Sequence, residues 1–187
     1  MSSRPTSPRI APLPRSAWDD PVKTQLERVP GGLERPFHIF TTFARHPDLM
    51  RRWLPFGTAL LMGELPPRDR ELLILRTAWN CRAAYEWGHH GGTMGLASGL
   101  TEAEIARVAK GPDASGWDPF EATLLRAADE LHAAACISDA TWKLLAARYD
   151  EKRLIEVAMV VGHYHLIAFA VNSFGVELDP GSATMPG

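Results

Sequence analysis

The chain after residue 65 is divided by helix start and stop signals at short intervals. Pro66 and Pro67 precede an apolar segment, and proline is tolerated in the first turn of a helix but not further in. The segments 101–104 and 118–121 both fit the capping box, in which two side chains satisfy the free backbone N–H groups of a helix start. These signals predict helices over residues 66–80, 83–97, 101–110, 118–135, 138–148 and from 150 onward. Strand signals are scarce, so we predict an all-α fold, a helical bundle.

The segment 154–171 is apolar over 18 residues, close to the shortest length that crosses a bilayer. It contains Glu156, His163 and His165, and polar groups are costly in hydrocarbon. A helix that is apolar on nearly all sides is also typical of the centre of a helical protein. We therefore interpret this segment as the central core helix and expect no membrane partner.

The first 65 residues carry weaker signals. Residues 1–15 contain four prolines and no apolar run, which predicts a disordered or extended arm and no export signal, and so a cytoplasmic protein. The arm could be solvated or could wrap a neighbouring subunit. Residues 16–187 are predicted to form a single all-α domain with an N-terminal extension, whose first helices span 16–29, 36–45 and 47–63.

Charge and cysteine content exclude several classes of protein. Twenty basic and 22 acidic residues leave no basic field for a nucleic-acid backbone, so we expect no nucleic-acid partner. The two cysteines, Cys81 and Cys136, cannot form a disulfide framework, a zinc knuckle or a CxxC redox centre. One disulfide between them remains open, and two buried free thiols are the favoured interpretation.

Acidic and imidazole side chains are concentrated in the segment 71–90. Glu71 shares a helix face with apolar residues, where a carboxylate is expensive unless it is paired, hydrogen-bonded or protonated. It could be a structural acid bonded to Arg68 or Arg70, or an acid with a catalytic role. Glu86 and His90 lie four apart, so their side chains meet on one helix face, and a carboxylate raises the pKa of a neighbouring imidazole. Such a pair is often a surface contact, but it also suits general acid–base catalysis.

The same segment, ELLILRTAWNCRAAYEWGHH, resembles the carboxymuconolactone decarboxylase family, which includes the alkylhydroperoxidase D branch. That branch carries the pattern E-x11-C-x2-C-x3-H, which aligns with Glu71, Ala83, Glu86 and His90. The spacing is kept while both cysteines are replaced. The resemblance implies the helical bundle of this family, with the family core at about residues 36–130, and a homo-oligomer, commonly a trimer or a hexamer.

The missing cysteines favour proton transfer over thiol chemistry. A thiol peroxidase needs one low-pKa cysteine to attack peroxide and a second to resolve the product. Cys81 lies two positions before the first motif site, and a shift of register that uses it puts Ala84 at the partner position. The decarboxylase branch is similar in placing a glutamate four residues before the histidine.

Four further residues are candidates for substrate binding. Tyr85 and Trp87 flank Glu86, and we expect Trp87 at the pocket wall. His163 could line the same cavity or be a core histidine. Arg76 could hold a substrate carboxylate or lie at the surface.

The histidine pairs do not suit a metal ion. In the pairs His89/His90 and His163/His165 the two side chains diverge around the helix, so neither pair readily chelates one ion. A site would need one histidine from each pair and a carboxylate. We predict no metal ligands and no cofactor.

These observations favour a cofactor-independent lyase or isomerase that acts on a small carboxylated or carbonyl substrate. His90 would move the proton or protonate an enolate, Glu86 would orient and charge the ring, and Glu71 would be a second acid–base group kept partly protonated by burial. One alternative is an alkylhydroperoxidase-like peroxidase that uses Cys81. The other is a non-catalytic oligomer that binds a small molecule.

Overall fold

The computed structural model describes residues 4–186, and no strand occurs within them. The all-α prediction is confirmed. A 3-10 turn at Arg15–Ala17 precedes α1, and a π-type turn at His90–Met94 joins α5 to α6. The helices are α1 (Asp20–Leu26), α2 (His38–Phe43), α3 (Pro47–Leu61), α4 (Pro67–Asn80), α5 (Ala84–His89), α6 (Gly95–Ala97), α7 (Glu102–Val108), α8 (Pro119–Ala134), α9 (Asp139–Ala146) and α10 (Glu151–Phe174).

Helix starts follow the local signals closely. Both capping boxes are present, with Thr101 and Asp118 as the capping residues of α7 and α8. Ser138 and Asp150 cap α9 and α10 through their side-chain oxygens. Because each cap satisfies N–H groups that the helix itself leaves free, the cap residue fixes where the helix begins.

Two predicted helices are interrupted. The predicted helix 16–29 is reduced to α1, because Asp19 rather than Ser16 caps it and Trp18 is extended. The predicted helix 83–97 is split by the π-type turn, where Gly92 has non-helical backbone angles (φ −102°, ψ −119°). Glycine tolerates this conformation at little cost, so the adjacent glycines allow the chain to bend just after His90.

Helix α10 packs its inner face on α4 and on the ends of α3 and α5. Its one carboxylate in the apolar stretch, Glu156, accepts hydrogen bonds from the backbone N–H groups of Glu64 and Leu65. By length and composition Glu151–Phe174 is the one helix in residues 4–186 that could cross a membrane, and half of its apolar window is buried inside the fold. The core-helix interpretation therefore accounts for one face of α10. The cytoplasmic location of the protein stays a prediction.

The first and last described segments of the chain lie along its own helices. Residues 4–14 of the predicted arm are extended, and residues 1–3 lie outside the described part. The backbone N–H groups of Arg9 and Leu13 donate to the carbonyls of Phe174 and Thr41. The N-terminal extension adds a small second core that consists of Val22, Leu26, Val29, Ala44 and Met50. The C-terminal tail returns to α5, where the N–H of Ala183 donates to the carbonyl of Gly88. The C-terminal tail thus covers α5, the helix that carries Glu86.

Candidate active site

The centre of the site is a buried imidazole between two carboxyl groups. His90 Nδ1 donates a 2.7 Å hydrogen bond to Glu71 Oε2, and His90 Nε2 lies 3.9 Å from Glu86 Oε2. The exposed fractions are 4% for His90, 2% for Glu71 and 5% for Glu86. The structure therefore brings the three candidate catalytic residues together in a single cluster.

The turn between α4 and α5 produces this arrangement. Residues 81–83 reverse the chain, and Arg82 adopts a left-handed conformation (φ 50°), which is uncommon for a residue with a side chain. Glu71 therefore reaches His90 from α4, across 19 positions of sequence. The expected role of Glu86 is corrected: Glu71 orients the ring through Nδ1, while Glu86 faces the other ring nitrogen at a distance too long for a hydrogen bond.

Charge within the cluster shifts two protonation equilibria. Burial by itself lowers the pKa of His90, but the charge and hydrogen bond of Glu71, together with the charge of Glu86, outweigh it and raise that pKa. Burial raises the pKa of Glu86, with the charge of His90 acting in the opposite direction. The shift at Glu86 favours its protonated form and the shift at His90 favours the imidazolium, so both groups hold a proton more readily than they would in water.

An apolar cavity of about 160 Å³ opens beside the cluster. Its lining includes Glu86, His90, Tyr85, Tyr164, His163, Trp53 and Phe37. Within the described part of the chain, no lysine or arginine lines it. A ligand in this cavity would therefore meet mainly aromatic and aliphatic surface, with polar groups at the acid–base cluster and at Thr58, His89 and His163.

Two of the four candidate binding residues line the cavity. Tyr85 does so with its ring, because its hydroxyl donates to Asp179 (2.5 Å) and accepts from the N–H of Ile39. Burial lowers the pKa of His163 to about 4, so this imidazole is neutral near pH 7. His163 Nδ1 is buried and has no hydrogen-bond partner among residues 4–186, which leaves it available to a ligand.

The other two candidates lie elsewhere, and these expectations are corrected. Trp87 is buried against Trp79, with ring centroids 5.8 Å apart, rather than at the pocket wall. Arg76 forms a two-point ion pair with Asp129 (2.6 and 2.9 Å) and donates to the carbonyl of Val108. It therefore joins α4, α7 and α8 and is not free to hold a substrate.

Two residues of the site, Tyr164 and Asp179, were not predicted. Tyr164 packs edge-on against the His90 ring at 5.0 Å. Asp179 accepts from Tyr85, from His89 and from the backbone N–H of His38, and so fixes the C-terminal tail over the site. The seven-residue spacing from Val157 to Tyr164 on α10 is a signal that places Tyr164 on the buried face, whereas nothing local to Asp179 indicates its partners.

The thiols lie outside this cavity. They are less buried than predicted from the sequence. Cys81 is half-buried and Cys136 is exposed, and both are free. Burial raises the pKa of the Cys81 thiol to about 11, so little of it is the reactive thiolate near pH 7.

Comparison with known proteins gives consistent results. The carboxymuconolactone decarboxylase family model matches residues 47–130. The alkylhydroperoxidase D core protein of Ralstonia eutropha, described as an uncharacterized peroxidase-related protein, has 19% identity and a TM-score of 0.80 over 98% of this chain and all of its own. A peroxidase-related protein from a Silicibacter species has 16% identity and a TM-score of 0.80 over 96% of each chain.

A third solved structure is the debrominase Bmp8 in complex with 2,3,4-tribromopyrrole, at 15% identity and a TM-score of 0.75 over 94% of each chain. At such identities these likenesses establish the fold alone, and the predicted bundle type is confirmed. Comparison with curated protein sequences gives no match.

Proposed function

Because residues 47–130 belong to the carboxymuconolactone decarboxylase family, we propose that this chain is an enzyme that transfers protons without a cofactor, a lyase or isomerase. The proposal depends on one observation, the buried Glu71–His90–Glu86 cluster at the wall of an apolar cavity. Raised pKa values at Glu86 and His90, two buried groups beside a cavity, are typical of groups that carry out acid–base catalysis.

The 3.9 Å gap between Glu86 and His90 supports a division of roles. Because His90 Nε2 and the Glu86 carboxyl group are not hydrogen-bonded to each other, both can form hydrogen bonds with a substrate. Glu86 as carboxylate would accept the proton from a carbon next to a carbonyl, and His90 Nε2–H would donate its proton to the carbonyl oxygen. A neutral enol results. Where a second double bond is conjugated with this enol, Glu86 returns the proton to the distal carbon while the hydroxyl proton goes back to His90 Nε2, which completes an isomerisation.

Decarboxylation would use Glu86 and His90 in the later steps of the same reaction, after the enolate has formed. Loss of carbon dioxide from a β-keto acid leaves an enolate, which His90 would protonate on oxygen to give the enol. Glu86 in its acid form would then protonate the carbon while the hydroxyl proton returns to His90, so the ketone keeps one added proton. Glu71 touches only His90, so we assign it a positioning role: its negative charge keeps the imidazole protonated and oriented.

The cavity favours a carbonyl substrate over a carboxylated one. Its lining is aromatic and aliphatic, without lysine or arginine among the described residues. The imidazolium of His90 is already paired with Glu71, so a substrate carboxylate would be buried with little compensation. We therefore propose a small, mainly apolar ketone or lactone.

The first prediction concerns His90. Small cyclic ketones and lactones are incubated with the protein in D₂O, and exchange at the carbon next to the carbonyl is followed by NMR. We expect exchange with the wild type and a loss of about 10²–10⁴-fold in His90→Gln. Glu102→Gln, an exposed carboxylate outside the site, is the control and should retain the rate.

Equal exchange in His90→Gln and the wild type would contradict the proposal. Two other outcomes identify the alternatives. Hydroperoxide consumption that is lost in Cys81→Ser would indicate the peroxidase. Thermal stabilisation by these compounds without exchange or product would indicate a binding protein.

We also propose that the chain assembles as a homo-oligomer, a trimer or a hexamer. Ile155, Met159, Leu166 and Phe169 lie at helical spacing on the outer face of α10 and are between 43% and 63% exposed. Such an apolar stripe on a surface helix is typical of an interface.

The second prediction is that Phe169→Glu lowers the mass in solution, measured by light scattering, towards that of a monomer. A charge in a buried interface would lose its hydration without gaining a partner. Leu144→Glu, an equally apolar and exposed position on α9, should leave the mass unchanged. A monomeric wild type would overturn the assembly proposal.

A further inference from the structure

A second cluster of reactive side chains lies where three helices meet, outside the cavity described above. Cys81 follows the last residue of α4, His132 lies in the last turn of α8, and His165 is in the middle of α10. Cys81 Sγ is 3.9 Å from His132 Nδ1, which is 2.9 Å from His165 Nε2. All three potential ligand atoms lie within 4.8 Å of one another.

We propose that Cys81, His132 and His165 bind one zinc-like transition-metal ion. Zinc bonds of about 2.3 Å to sulfur and 2.0–2.1 Å to nitrogen, at tetrahedral angles, imply ligand atoms about 3.3–3.6 Å apart. The two imidazole nitrogens, 2.9 Å apart, would separate by a few tenths of an ångström. The thiol would approach His132 by a similar amount and His165 by up to about 1 Å. One thiolate and two imidazoles select zinc, cobalt or copper over magnesium and calcium.

The surroundings already orient two of the ligands. His165 Nδ1 donates a 2.8 Å hydrogen bond to the carbonyl of Val161, which leaves the lone pair of Nε2 directed into the cluster. This second bond is the arrangement that metal-binding histidines adopt in most proteins. The carbonyl of Cys81 accepts from Arg4 (2.8 Å) and Asn172 (3.1 Å), which fixes the backbone that carries the thiol.

Metal binding at this site has a defined proton balance. Because His165 Nε2 accepts, His132 Nδ1 must carry the hydrogen in the metal-free protein. Binding moves that hydrogen to the other nitrogen of the same ring, with no net change. The thiol of Cys81 becomes a thiolate, so one proton leaves for each divalent ion bound.

The geometry gives the ion a structural role and leaves one of its four coordination positions free of protein ligands. It would join α4, α8 and α10, which pack on one another in the core. His132 is exposed, so the fourth position of a tetrahedral ion would face solvent and hold water or an external ligand. The histidine pairs considered from the sequence did not include His132, which lies on another helix.

The third prediction tests this site in the full chain. Protein stripped by a chelator is titrated with Zn²⁺ by calorimetry and with Co²⁺ by absorption spectroscopy. We expect one ion per chain, one proton released, a rise in Tm with free Zn²⁺, and a thiolate-to-cobalt charge-transfer band. Cys81→Ser should abolish that band, and His132→Gln and His165→Gln should each weaken affinity at least about tenfold, the loss that even an outer hydrogen-bond partner causes.

Cys136→Ser is the matched control, because it removes the exposed cysteine outside the cluster. Its affinity and spectrum should equal those of the wild type. Equal metal binding by all four variants, or a cobalt spectrum without the thiolate band, would overturn the proposal. Melting in chelator checks that each variant folds.

Discussion

Substitution of Glu86 by glutamine is expected to lower kcat by about 10²–10⁴-fold and to change KM little. An amide has nearly the size of the carboxyl group but neither accepts nor delivers the proton. Because the cavity wall keeps its shape, binding of an apolar substrate should be retained. The measurement is steady-state kinetics on the substrate found by deuterium exchange. Loss of affinity with unchanged kcat would make Glu86 a binding residue.

The pH profile distinguishes the roles of the two carboxyl groups. In the wild type, kcat/KM should rise with pH as Glu86 loses its proton and fall at higher pH as His90 loses its own, and both pKa values are raised. Glu71→Gln removes the charge that opposes the effect of burial on His90. The pKa of His90 therefore falls, and the basic limb moves to lower pH. The charge of Glu71 also helps to raise the pKa of Glu86, so the acidic limb moves in the same direction.

In the same Glu71→Gln variant, kcat at the new optimum should fall less than in Glu86→Gln. Because the three residues titrate together, the pKa values read from the two limbs of the pH profile describe the cluster as a whole and not single residues. A basic limb that stays in place in Glu71→Gln would contradict the positioning role.

The sequence predicts most helix starts because a cap is a local device. Thr101 and Asp118 contact residues only three positions away, and those contacts do not depend on the rest of the fold. The proximity of Glu86 and His90 is also predicted, since the two residues lie four apart, on α5 and at its C-terminal end. The Glu71–His90 bond is different: it depends on the left-handed turn at Arg82, which no periodicity indicates.

The wrong expectations share a physical reason. Trp87 follows Glu86 directly, and adjacent residues on a helix point about 100° apart, so its side chain turns away from the cavity. Arg76 lies five positions after Glu71, which places it about 140° around α4. In both cases proximity in sequence does not produce proximity in space. Asp179 and His132 were missed because their partners lie on distant segments.

The last prediction concerns the stability of the fold and separates the two interpretations of Arg76. Its guanidinium makes two hydrogen bonds to Asp129 and two more to the carbonyls of Val108 and Ala109. The side chain of Arg76 is 12% exposed, and Asn80 also donates to Asp129. Removal of the cation leaves a half-buried carboxylate and two helix-end carbonyls without their main partner.

Arg76→Ala is therefore expected to reduce the free energy of unfolding by about 3 kcal/mol, because the carboxylate of Asp129 would remain charged and partly buried without its cation. For a chain of this size that corresponds to a fall in Tm of about 6–12 °C. KM should stay unchanged, because Arg76 is outside the cavity. Arg126→Ala is the matched control: its ion pair with Asp113 is solvent-exposed, and such pairs contribute at most about 1 kcal/mol. A large rise in KM with little change in Tm would support the substrate-binding role of Arg76 instead. Equal losses of Tm in both variants would show that the buried Arg76–Asp129 pair stabilises the fold no more than an exposed pair does.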